Sequence, residues 1–257
     1  MAAKDPKSYY PVFLDLTGRL AVVVGGGHAA ERKIAQLVRY GADVTLITFG
    51  ATRKMRQLEA GGLITIEPRG YIRGDLDGAF LVVCAETGEI ASAVYAEAES
   101  RGCLINVLGN PALSSFIVPS NVQRGPLQIA ISTGGAAPAV AKQLRKQLQE
   151  QFGPEWATYV TLLGDIRALA FSRLTDVDAR QRIIAAVADN DLLDRIVEGE
   201  ELSAETVYAE FVAADEAALA MAADEAEATA AAAEAEATAA ADAEAETPAP
   251  AEPEASA

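Results

Sequence analysis

Gly25, Gly27 and Ala30 stand in G-x-G-x-x-A spacing directly after the apolar run LAVVV at 20–24, and ERKIAQLVRYG follows. A strand that stops at glycines and opens a helix is the setting a dinucleotide-binding turn requires. The first glycine permits the tight turn. The second lets a pyrophosphate approach the backbone, and the alanine keeps the helix close to the sheet. Free N–H groups at the helix start then face phosphate oxygens. A purely structural turn would also use glycine, so the surrounding chain has to decide.

His28, the only histidine, falls at the first turn of that helix. It is placed to touch a phosphate or a substrate carboxylate, or to stand exposed. Dinucleotide sites often carry an acid at the end of the second strand to hold the adenine ribose. Here that strand ends Ile47, Thr48, Phe49, Gly50, with no carboxylate, and Arg53 and Lys54 follow. NAD would be held by backbone amides around Phe49 and Gly50, whereas NADP would use Arg53. NAD is the expected cofactor.

Other chemistries find little support. Cys84 and Cys103 lie in the apolar contexts LVVC and CLIN and read as buried thiols. No Cys/His cluster exists, so no metal site is expected. A Tyr-x-x-x-Lys pair of the short-chain oxidoreductase kind is absent.

The elements that must position these residues alternate. Strands are expected at 20–24, 43–48, 63–67, 79–85 and 103–107, with helices at 31–41, 53–60 and 89–102 between them. That rhythm predicts parallel βαβ units, whose strands are apolar on both faces because helices cover both sides. After Pro111 the pattern changes. Two short strand-like pieces lie among Pro119 and Pro126, then GGAAP leads to a helix starting near Pro138. From Glu155 to Leu202 the chain reads as helical.

Four segments follow: a Rossmann-like dinucleotide-binding domain at 1–111, a small mixed region at 112–153, a helical C-terminal domain at 154–212 and a tail at 213–257. The fold class is α/β. The tail is mostly Ala, Glu and Asp with no Lys or Arg. It offers little apolar surface and ends TPAPAEPEASA, so it is expected to be disordered. The chain's net charge is −16, and 12 acidic residues lie from Ala213 onward, so the rest is nearly balanced. Nucleic acid is not an expected partner. No apolar run approaches the ~18 residues of a membrane span, and MAAKDPKSYY has no apolar signal core, so a cytoplasmic protein is expected.

YPVFLDLTGRLAVVVGGGHAAERKIAQLVRYGADVTLIT and INVLGNPALSSFIVPSNVQRGPLQIAISTGGAAPAVAKQLRKQL together resemble the siroheme synthase N-terminal family. The second block is the more specific. The resemblance spans roughly residues 9–200 and implies an NAD-dependent oxidation of precorrin-2 to sirohydrochlorin, in some members with ferrochelatase activity. It further implies a homodimer built through the central region. Family positions put cofactor contacts on Gly25, Gly27, His28, Ala29, Phe49 and Gly50. They put Thr133, Gly134 and Gly135 near the tetrapyrrole cleft. A polyanionic substrate wants cations and free N–H groups, and Arg124, Lys142 and Arg145 are candidates by position.

The chain departs from the family where acid–base chemistry is concentrated. The usual aspartate after the fifth strand is replaced by Gly109. Asn110 beside it cannot take a proton at neutral pH. The acidic run after the fourth strand reads Glu86, Thr87, Gly88, with Glu89 next. Asn110 and Glu86 are therefore the catalytic candidates. Metal insertion needs a base near the ring nitrogens, so ferrochelatase activity is expected to be absent. Two alternatives stay open: a tetrapyrrole carrier without catalysis, and a bifunctional enzyme with a displaced carboxylate.

Overall fold

A computed structural model describes residues 7–245 of the 257. The proline-rich end TPAPAEPEASA lies outside the described residues.

Five apolar stretches form the strands β1 (Leu20–Val24), β2 (Asp43–Ile47), β3 (Ile64–Glu67), β4 (Leu81–Cys84) and β5 (Leu104–Val107). They lie in the order β3-β2-β1-β4-β5, and every pairing is parallel. β1 is central: Val22 is opposite Thr45 of β2 and Val82 of β4. The alternation along β1 serves two cores. Ala21 and Val23 pack with Ile34, Leu37 and Met55, while Val22 and Val24 pack with Leu76, Val94 and Ala98. Such a strand must be apolar throughout.

The first face is covered by α1 (Gly27–Arg39) and α2 (Arg53–Ala60). The second is covered by α3 (Gly88–Arg101) and by the non-helical segment 68–78. This segment hangs on Glu97 of α3, whose side chain is 3% exposed. Glu97 accepts hydrogen bonds from the Tyr71 hydroxyl, from the Gly74 amide at 3.0 Å and from Arg101 Nε at 2.7 Å. Burial pushes its carboxyl up, but these donors and the Leu76 amide outweigh burial and hold it below the ordinary range. Arg69 stiffens the same segment through a two-pronged bond to Asp75 at 2.8 and 2.9 Å. Cys84 and Cys103 are both free and buried, as their contexts imply.

A 3-10 turn at Pro111–Leu113 leads to the paired strands β6 (Ser120–Arg124) and β7 (Leu127–Ile131), then to α4 (Pro138–Gln151). α4 begins at the proline, whose missing N–H costs nothing there. The chain divides into two compact units. One reaches to Asn121 and resumes at Ala130–Lys146; the other is Val122–Ile129 and the chain from Gln147. The expected middle segment 112–153 is thus shared between the units. Little of it is buried: Val122 in β6 and Ala141 in α4 are covered, while Val118, Val140 and Leu144 are 44%, 47% and 40% exposed.

The helical unit comprises α5 (Glu155–Arg173), α6 (Val177–Ala188), α7 (Leu192–Val197) and α8 (Ala204–Ala245). Tyr159, Leu162, Ile166 and Ala170 recur at helical spacing and meet Ile183, Val187, Leu192, Val207 and Tyr208 in one core. The expected disorder of the tail is corrected here for residues 213–245. α8 continues through that point, and Asp215 takes two bonds from Arg182 at 2.8 and 2.9 Å. Alanine's helix propensity carries the helix on, with no Gly or Pro to interrupt it. From Glu216 to Ala233 its residues are exposed.

Candidate active site

β1 has β2 on one side and β4 on the other, so the strand order reverses beside it. In open parallel sheets this is where a crevice opens beyond the carboxyl ends of the strands. The glycine turn lies there, and each glycine has its own reason. Gly25 has φ +97°, and a Cβ on it would lie 2.7 Å from Glu86 Oε1. Gly26 has an ordinary φ, but a Cβ would fall 2.5 Å from the Gly50 carbonyl oxygen and 2.8 Å from Thr48 Oγ1. A Cβ on Gly27 would meet nothing within 4 Å. The turn is therefore wedged between the loops after β2 and β4, and open above Gly27.

α1 starts at that opening. Its N-cap, Gly26, makes no side-chain cap bond, and its first turn holds no acid. The first amides of a helix have no partner within it. Uncapped amides above an open glycine fit the diphosphate of a dinucleotide. Ala30, the third position of the motif, is fully buried and brings α1 against the sheet.

The predicted cofactor residues gather here. Gly25 and Gly27 make the turn, and His28 and Ala29 form the exposed first turn of α1. Gly50 touches Gly26 through its carbonyl, and its amide donates to Thr48 Oγ1 at 3.0 Å. Phe49 stands 82% exposed at the end of β2. Two participants are absent from the sequence reading. Gly26 is required by the close approach of Gly50, which the motif spacing does not encode. Glu31 accepts from Thr52 Oγ1 at 2.6 Å and pairs with Lys54 at 3.4 Å. The Thr52 bond, helped by Lys54, outweighs partial desolvation and holds the Glu31 carboxyl below the ordinary range.

The catalytic candidates part company. Glu86 is half-buried, with its carboxylate over Gly25. Asn110 caps the 3-10 turn: its Oδ1 accepts from the Leu113 amide at 3.3 Å, and its carbonyl accepts from Ser114 Oγ at 2.8 Å. Gly109 has φ +76°, with nothing within 4 Å of a Cβ.

The substrate candidates are also differently placed. Arg124 donates from Nε to the Phe152 carbonyl at 2.8 Å and from Nη2 to that of Gln149 at 3.0 Å, which closes the end of α4. Its Nη1 donates to the Gln123 carbonyl. Thr133 Oγ1 accepts from the Ala137 amide, and Gly134 donates to Ser132 Oγ, so this loop is tied to itself ahead of α4. Gly134, Gly135 and Lys142 are exposed. Among the described residues, no group of three or more His, Cys, Asp or Glu side chains is placed to hold a metal ion. Nor is any helix there long and apolar enough to cross a membrane.

Sheet order, glycine turn and uncapped helix define a Rossmann-like dinucleotide-binding protein. Residues 12–120 match the family described as "Putative NAD(P)-binding", and residues 124–151 match "Sirohaem biosynthesis protein central". Siroheme synthase 1 of Halorhodospira halophila is 36% identical over 200 residues, covering 77% of this chain and 41% of that protein. The siroheme synthase of Chromobacterium violaceum is 31% identical over 207 residues, covering 80% and 44%. The solved structure of SirC, precorrin-2 dehydrogenase, superposes with a TM-score of 0.66 at 25% identity, covering 81% of this chain and 99% of that one. The chain spans less than half the length of these siroheme synthases. It belongs to the siroheme synthase N-terminal family.

Proposed function

We propose that this chain oxidises precorrin-2 to sirohydrochlorin with NAD as the hydride acceptor, in the cytoplasm. The observation that carries the reading is the open Gly27 turn with the Glu86 carboxylate beside it at the reversal of strand order. The substrate class is supported by the relatives, which are siroheme synthases, and by the structural likeness to a precorrin-2 dehydrogenase.

Precorrin-2 is a reduced tetrapyrrole edged with carboxylates, and its oxidation removes a hydride and a proton. NAD held at the turn supplies the hydride acceptor. The protein's own work is then mostly placement. The α1 amides and Gly25–Gly27 hold the diphosphate, with His28 and Ala29 beside them, and Phe49 and Gly50 border the adenosine. Glu86 receives the proton. Lys142 and the Thr133–Gly135 backbone meet ring carboxylates, while Arg124 stays with the helix end it closes. Asn110 acts by shaping the loop after β5.

Metal insertion lies outside this activity, because Gly109 supplies no base and Asn110 is an engaged amide. The working form is a homodimer. The apolar residues Val118, just before β6, and Val140 and Leu144 on α4 are exposed within their own chain, and pairing would cover them.

The test is anaerobic incubation of the protein with precorrin-2 and NAD, following sirohydrochlorin absorbance and NADH together. Stoichiometric formation of both is the expected result. Tight tetrapyrrole binding with no NADH formed overturns the proposal and leaves a carrier.

A further inference from the structure

We propose that the adenosine end of this site admits a 2′-phosphate, so that the chain binds NADP(H) as well as NAD(H); this rests on the cofactor reading above. The Gly26–Gly50 contact brings the loop after β2 against the phosphate turn, so residues 48–54 border the adenosine ribose. In dinucleotide sites an acid at the end of the second strand binds the ribose hydroxyls, whereas a nearby Arg accommodates a 2′-phosphate. Here that acid is missing. Thr48 is 6% exposed, and its hydroxyl is occupied by the Gly50 amide. Phe49 presents an exposed ring and no charge.

The carboxylate that does reach the loop is already engaged. Glu31 is hydrogen-bonded by Thr52 and neutralised by Lys54. Two further cations follow on α2. Arg56 Nη2 folds back to the Ala51 carbonyl at 2.8 Å, which holds its guanidinium at the loop. Arg53 is exposed, and among the described residues it has no hydrogen-bond or ion-pair partner. A free guanidinium, a second one held close and a carboxylate already countered suit a phosphate dianion. A site built to exclude that dianion would place a free carboxylate there instead.

The experiment is equilibrium binding of NADH and NADPH to the full chain, read by nucleotide fluorescence, with R53A and R53E beside the wild type. Circular dichroism confirms that the exposed substitutions leave the fold intact. NADPH is expected to bind within about tenfold of NADH. R53A should lower the NADPH-to-NADH affinity ratio by about tenfold, R53E by more, and added salt should weaken NADPH more steeply than NADH. NADH binding without NADPH binding overturns this inference and leaves the dehydrogenase standing. So does a ratio unmoved by R53E. Binding of neither nucleotide overturns the cofactor reading, and this inference with it.

Discussion

The carboxylate of Glu86 lies so close to Gly25 that a Cβ on the glycine would come within 2.7 Å of Oε1. Strand β1 and the chain leaving β4 thus meet at one point, where the proposed phosphate turn and the proposed base adjoin.

Gly25→Ala should lose the cofactor. Its positive φ and the blocking carboxylate both oppose a side chain. NADH affinity is expected to fall by about a hundredfold, equivalent to about 3 kcal/mol of strain and displaced contact. Titration of NADH fluorescence checks this, and retained affinity would count against the turn as the phosphate site.

Glu86→Gln should separate proton removal from binding. We expect kcat for precorrin-2 oxidation to fall by about a hundredfold. Binding of NADH and of the tetrapyrrole should be retained, since the amide keeps the shape of the side chain. A variant with unchanged kcat would remove Glu86 from the chemistry.

Gly109→Asp should create metal insertion that, on the proposed function, the wild type lacks. The left-handed backbone there is one that Asp tolerates better than most residues, and a Cβ would meet nothing within 4 Å. Incubation with sirohydrochlorin and Co(II), followed by absorbance, reads the result. Rapid insertion by the wild type would refute the assignment of a missing base.

Glu97→Gln should destabilise the first unit by about 2–3 kcal/mol, because charge-assisted bonds to a buried acceptor are lost. The sign of the pH dependence follows from the depressed carboxyl. Its stabilisation is complete above the ordinary value of 4.5 and is lost as pH falls through the lower folded value. The stability gap between wild type and variant should therefore be constant near neutrality and narrow in acid. Denaturant unfolding at several pH values checks it.

Leu144→Asp should produce a monomer. The residue is exposed within its own chain, so folding should be spared while pairing is not. Sedimentation velocity distinguishes the two states, and an unaltered dimer would move the interface elsewhere.

What the sequence disclosed follows from local physics. Five apolar runs separated by helical spacing are enough for a parallel sheet, and glycines between a strand and a helix are enough for a phosphate turn. Pro138 marks the start of α4 for the same local reason. Tertiary geometry was not legible. Arg124 looked like a carboxylate ligand because nothing in its neighbours shows that the end of α4 returns to it. The necessity of Gly26 depends on the Gly50 carbonyl, 24 residues away in the chain. The acidic tail misled for a different reason: low apolar content was weighed above alanine's preference for helix, and the Arg182–Asp215 pair at the tail's start has no sequence signature.

Segment 68–78 covers one face of the sheet without a helix's repeating bonds, and it is fastened to α3 by Glu97 and by the Arg101–Asp77 pair at 2.7 Å. Beneath it Cys103 donates through Sγ to the Ala79 carbonyl at 3.1 Å. Any moment in which the segment lifts uncovers that sulfur. The molecule thus carries its own reporter of local opening, and the rate at which an alkylating reagent captures Cys103 measures how often this cover detaches.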